Sequence, residues 1–191
     1  MGARSMAATL LIPIVLLGWS RAAQGSNGWE WLGNTYWYVP TENLPAVQFN
    51  AFTQRIRQIT DQTVFHIESY SSGYFWGKAA VQLIRNPLEA VRPPDPLCFE
   101  LIGSVTPEGN LSISFTSTRR TSGIATIGIG NMRMPASDWT MQLQMASGFG
   151  RQVTHWAYMV QCKSGADCPL PGVPGTLQEL LDQCIEPPPR R

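Results

Sequence analysis

Apolar and polar residues alternate through most of the chain. In Leu111-Ser-Ile-Ser-Phe-Thr116, Leu111, Ile113 and Phe115 fall on one side and Ser112, Ser114 and Thr116 on the other. Thr140-Met-Gln-Leu-Gln-Met145 does the same with Met141, Leu143 and Met145. A period of two is that of a strand with one buried and one wet face. Turn-forming segments separate the runs: Tyr70-Ser-Ser-Gly-Tyr74, Pro107-Glu-Gly-Asn110, Asp61-Gln62 and Gly148-Phe-Gly150. Strands are predicted over about 35–39, 54–60, 63–70, 74–84, 98–105, 111–117, 124–132, 139–146 and 153–162. So many short strands with little helix predict an all-β fold. The expected form is an antiparallel up-and-down β-barrel of 8–9 strands, because closure removes exposed edges.

Two segments break the alternation. Residues 85–97 hold Pro87, Pro93, Pro94 and Pro96 and must form a long irregular loop. Leu177-Gln-Glu-Leu-Leu-Asp-Gln-Cys184 places Leu177, Leu180, Leu181 and Cys184 on one helical face. One C-terminal helix is expected there, over about 176–184, packed on the barrel wall, with residues 187–191 frayed.

At the N-terminus an apolar run of 14 residues, Met6 to Trp19, follows Arg4 and contains Pro13. A membrane-spanning helix needs about 20 apolar residues. The run is too short for that, and the small residues Ala23 and Gly25 suit a cleavage site. Residues 1–25 therefore read as a secretory signal peptide, and 26–191 as one secreted or periplasmic domain with no stable membrane span. The signal region holds Arg4 and Arg21 and no acid. Of 14 basic residues 12 remain against 13 acidic ones, a net charge of −1. No basic field exists to attract nucleic acid.

Export makes Cys98, Cys162, Cys168 and Cys184 disulfide candidates. Four cysteines allow three pairings. The favoured one closes a short loop with Cys162–Cys168 and ties the C-terminal tail to the barrel with Cys98–Cys184. A zinc site needs closer cysteine pairs than the five-residue spacing found here. Asn110-Leu-Ser112 is a glycosylation acceptor at a turn, if the source is eukaryotic.

Candidate chemistry is sparse. Thr63-Val-Phe-His-Ile-Glu-Ser-Tyr70 puts His66, Glu68 and Tyr70 on one face and Phe65 and Ile67 on the other. That fits a polar outer face over an apolar core. It also fits a polar patch in a wet interior, where a carboxylate beside an imidazole could move a proton. His155 shares a face with Val153, Ala157 and Met159. Alternation gives His66, Glu68 and His155 no reason to meet, so no metal and no cofactor are expected. Gly128-Ile-Gly130 lacks the third glycine and the strand-to-helix setting of a dinucleotide loop. Trp37, Tyr74, Trp76 and Trp156 stand out among many aromatics, and such rings suit either a core or a small-molecule pocket.

Gly33-Asn-Thr-Tyr-Trp-Tyr-Val-Pro40 resembles the first conserved block of lipocalins, where a glycine precedes a Trp-Tyr pair on the first strand. Signal peptide, mature length, meander, C-terminal helix and a disulfide from a mid-barrel strand to the tail also look like that superfamily. The resemblance implies a calycin-like barrel with a ligand-binding cup. The expected function is binding of a small, largely hydrophobic molecule against Trp37, Tyr74, Trp76 and Trp156. An isomerase- or cyclase-type enzyme using His66, Glu68 and Tyr70 is the alternative, as is a surface-recognition or inhibitor module using loop 85–97.

Overall fold

Among the described residues, nine strands and a short C-terminal helix frame the fold, with a 3-10 turn at Glu30–Leu32. The computed structural model describes residues 28–185, apart from 43, 87, 90–92, 119–124 and 149–150. The expected signal peptide and frayed tail lie outside the described residues. The strands are β1 (Thr35–Tyr38), β2 (Leu44–Asn50), β3 (Arg55–Ser71), β4 (Tyr74–Ile84), β5 (Leu97–Val105), β6 (Asn110–Ser117), β7 (Ala125–Arg133), β8 (Thr140–Gly148) and β9 (Arg151–Gln161). The helix is α1 (Leu177–Asp182).

Neighbours from β3 to β9 pair antiparallel in sequence order, and β2 lies between β3 and β9. This closes a ring of eight strands. β1 lies outside the ring's count. It bridges β3 and β9 beyond the end of β2, so β1 and β2 share one stave. Tyr38 pairs with Val64 and Leu44 with Asp61, so residues 39–42 leave the ladder opposite Gln62 and Thr63. Gln62 fastens the excursion: its amide accepts from Val39 N at 3.2 Å and donates to the carbonyls of Val39 and Pro171 at 3.0 and 3.1 Å.

The all-β barrel with one C-terminal helix is as the alternation predicts. Three details differ. Asp61-Gln62 is no turn but the middle of the 17-residue β3. Both residues are buried, and the strand tolerates Gln62 because its amide is hydrogen-bonded to Val39 and Pro171. Second, β2 escapes notice because apolar residues occupy both of its faces: Leu44 and Ala46 are buried, while Val47 is exposed. Third, α1 ends at Asp182, before Cys184.

Residues with apolar side chains converge inside the ring. Phe65, Ile67, Phe75, Leu101, Ile113, Phe115, Met141 and Met159 are all buried in one cluster. Glu100, Ser112, Ser114 and Thr116 are polar and exposed on the outer face of β5 and β6, while Ile102, Ile127, Ile129 and Trp156 expose apolar side chains on the outer wall. Among the described residues no helix is long and apolar enough to cross a membrane.

A second cluster lies on the outer wall. Leu177, Leu180 and Leu181 of α1 pack over Val64 of β3 and Ala80 of β4. Thr176 caps the helix: its hydroxyl accepts from Glu179 N, and the Glu179 carboxylate accepts from Thr176 N at 2.8 Å. Disulfides join Cys98 of β5 to Cys184 just past α1, and Cys162 to Cys168 around a short loop.

Candidate ligand cavity

The two ends of the barrel are filled differently. At one end Trp29, Trp31, Trp37 and Trp139 form a plug. The Trp29 and Trp139 rings meet edge-on at 4.8 Å and Trp31 lies 6.0 Å from Trp139. Trp29 Nε1 donates to the carbonyl of Thr106 at 2.9 Å, pinning the N-terminal turn Glu30–Leu32 across the opening. Close packing there depends on Gly109, which holds φ at +87° with its α-carbon against the Trp29 ring.

At the other end the described residues leave a cavity of about 150 Å³ in the interior. Phe99, Phe115 and Met145 form its floor, and Val81, Leu83, Leu97 and Val153 its walls. Its polar lining comes from Gln48, Asp61, Arg85, Thr126, Ser147 and His155. Two of these rim groups are occupied elsewhere. The Gln48 side-chain oxygen accepts from Arg57 Nε at 2.8 Å, and Arg85 Nε lies 3.7 Å from the Glu89 carboxylate.

Asp61 and His155 are not so occupied. Asp61 points inward from β3 and His155 from β9, on either side of β2. Their side chains are 1% and 7% exposed, with Asp61 Oδ2 3.4 Å from His155 Nδ1. That contact lacks the alignment of a hydrogen bond, and both Asp61 Oδ1 and His155 Nδ1 are buried without a hydrogen-bond partner among the described residues. The Thr63 hydroxyl reaches Asp61 Oδ2 only at 3.5 Å. Burial pushes the Asp61 carboxyl above the ordinary carboxylate value, against smaller opposing pulls from His155 and Thr63. An apolar chamber with two under-satisfied polar groups at its base is the arrangement expected of a small-molecule site.

The residues singled out by sequence lie elsewhere. Trp37 is fully buried in the plugged half. Tyr74, Trp76 and Trp156 are 63%, 45% and 57% exposed on the outer wall. First and last strands do meet, but through Trp37 opposite Gln161, not through Trp156. His66 also faces outward, stacked on Tyr36 with ring centres 4.0 Å apart. Burial under that ring lowers its pKa, with Glu68 opposing and Lys78 reinforcing the shift. Glu68 is exposed and pairs with Lys78 at 3.3 Å. A bulge between Ile67 and Ser69 shifts the register of β3. Tyr70 thereby leaves the face of His66 and packs against the interior cluster at the plugged end, its hydroxyl accepting from Gly73 N at 3.0 Å. His66, Glu68 and Tyr70 are thus not brought together. Asn110 is exposed at the start of β6. In segment 85–97 Leu88 and Glu89 are helical and Leu97 opens β5, while residues 93–96 are irregular, and Gln82 Nε2 donates to the Pro94 carbonyl. Among the described residues no three His, Cys, Asp or Glu side chains gather as a metal ion would require.

Gly128 and Gly130 serve packing on β7: a side chain at Gly128 would meet Phe115 and Met145, and one at Gly130 would collide with the Gln142 carbonyl. Compared with protein-family models, curated proteins and solved structures, the chain finds no match.

Proposed function

We propose that this protein is an extracellular or periplasmic barrel that binds a small, largely hydrophobic molecule in the cavity between Phe115 and the open rim. The observation that carries this reading is the asymmetry of the interior. One half is filled by tryptophans, while the other keeps a largely apolar chamber in which Asp61 Oδ1 and His155 Nδ1 are buried without hydrogen-bond partners among the described residues. A folded interior ordinarily fills such space and satisfies such groups. Two disulfides support an oxidising compartment, in keeping with the exported chain and calycin-like cup expected from sequence. A volume of about 150 Å³ suits a ligand with one six-membered ring, since an apolar cavity of about that size takes up benzene. A larger ligand would protrude past Arg85 and Leu83. Binding is favoured over catalysis by His66, Glu68 and Tyr70 because those three do not converge and two of them lie on the outer wall.

The test follows methionine methyl resonances during addition of toluene. Met145 on the cavity floor should shift and Met132 at the plugged end should not. An unmoved Met145 overturns the reading. Native mass spectrometry of protein from its own host would then weigh any resident ligand.

A further inference from the structure

The proposed cavity has a largely apolar floor and wall, and of its polar lining residues Asp61 and His155 hold buried polar atoms without hydrogen-bond partners among the described residues. We infer that the cavity is built for a small organic cation: a primary ammonium group seated between Asp61 and His155, with one apolar ring or short branched chain against Phe115, Met145 and Val81. This inference rests on the binding function proposed above and specifies the ligand's chemistry.

The argument begins with what the base can accept. Asp61 presents a carboxylate whose Oδ1 has no hydrogen-bond partner among the described residues, and His155 presents an Nδ1 in the same condition. The Asp61 oxygens are acceptors, the imidazole nitrogen is one in the tautomer that carries its proton on Nε2, and the two groups lie side by side. The distance of 3.4 Å between Asp61 Oδ2 and His155 Nδ1 brings them within reach of one donor group. An ammonium carries three donors and no acceptor, so it can serve both atoms at once and still turn a third hydrogen toward the Thr63 hydroxyl or solvent. A carboxylate ligand could not: it would set acceptor against acceptor and negative charge against Asp61. A neutral alcohol brings one donor and would leave one of the two protein atoms unserved.

Charge points the same way. Among the described residues, Arg85 and Arg57 near the chamber are engaged on the rim, Arg85 by Glu89 and Arg57 by the Gln48 side chain. Burial shifts the Asp61 carboxyl toward the protonated form, against a smaller opposing pull from His155. An incoming cation would favour the ionised form. Hydrogen bonds between charged partners are also the stronger kind. The chamber walls, Val81, Leu83, Leu97 and Val153, exclude water around the pair and take up the ligand's apolar part.

Three probes of one shape separate the possibilities: benzylamine, benzyl alcohol and benzoate, titrated calorimetrically into the wild-type protein and into Asp61→Asn. Benzylamine should bind about ten- to hundredfold more tightly than benzyl alcohol, as charge-assisted hydrogen bonds imply. In Asp61→Asn, verified as folded by its thermal transition, that preference should vanish. Benzyl alcohol equal to benzylamine in the wild type, or benzoate ahead of both, overturns the cation assignment and leaves the binding function standing. So does a benzylamine preference that survives Asp61→Asn. Failure of all three probes to bind overturns the binding function and this inference with it.

Discussion

Replacing Asp61 by asparagine should stabilise the empty barrel at neutral pH. The substitution is nearly isosteric, so the wall of the cavity keeps its shape. What changes is charge. The carboxylate is 1% exposed at the side chain, receives one long contact from Thr63, and has Oδ1 unpartnered. Leaving a buried polar group unsatisfied costs about 1–3 kcal/mol, more if charged. Asparagine remains polar, so about 1–2 kcal/mol of relief is a reasonable share of that range. For a domain of 150–250 residues each kcal/mol moves Tm by about 2–4 °C, giving a rise of roughly 2–8 °C. The pH dependence has a definite sign. A carboxyl whose folded pKa is raised binds protons better in the folded state, so its contribution to stability is complete below the ordinary aspartate value. It is lost as pH rises through the raised folded value. The gap in Tm between Asp61→Asn and wild type should therefore widen from pH 4 to pH 7. Other acids titrate in both proteins and cancel in the difference. Calorimetric scans across that range supply the measurement. A variant less stable than wild type at pH 7, or a gap independent of pH, would refute the claim that Asp61 is under-compensated. His155 would then be a true counter-ion.

Gly103→Ala should cost about 1–3 kcal/mol by urea denaturation, as overpacking does, because its β-carbon would fall on the ring of the fully buried Phe75. Phe115→Ala should lower stability by about 3–5 kcal/mol and, by enlarging the cavity floor, allow naphthalene to shift the Met145 methyl. In the chain-entropy account, removing Cys98–Cys184, with a sequence separation of 86, should cost about 4–5 kcal/mol and removing Cys162–Cys168 about 2 kcal/mol, compared by urea melts of the paired alanine variants. His66 should titrate below the ordinary histidine value in an NMR pH series, its resonance assigned by His66→Gln. Its small contribution to stability is present above that ordinary value and lost as pH falls through the folded one.

Alternation made most of the barrel legible, since eight of its nine strands carry apolar residues at every second position or in aromatic runs. The cavity was hidden by one misreading. Asp61-Gln62 looks like a turn because a carboxylate and an amide are rare inside a strand, and taking it as one removed Asp61 from the interior. No local signal says that Gln62 will be clasped by Val39 and Pro171. His155 was placed on the correct face with Ala157 and Met159, but nothing in sequence brings it to a partner 94 positions away. The outward placement of Tyr74 and Trp76 was readable: Lys78 follows at the same spacing and marks that face of β4 as wet, while Phe75, Gly77 and Ala79 mark the other as buried. The bulge at Glu68 was not readable, because its cause is Gly77 opposite, where any side chain would strike the His66 carbonyl.

The shared stave of β1 and β2 governs when the barrel can form. From β3 to β9 each strand pairs with its predecessor, so those ladders can zip up hairpin by hairpin as the chain emerges. The last seam cannot. It joins Val47 to Thr154 and Trp37 to Gln161, and so waits for residues 151–161. Until they arrive, β2 and β8 are both open edges, able to pair with any other extended strand. A ribosome or a translocation channel that holds back residues 151–161 thus holds the barrel short of closure. The cost of closure falls on β9, the strand that is both the last wall of the ring and its lock.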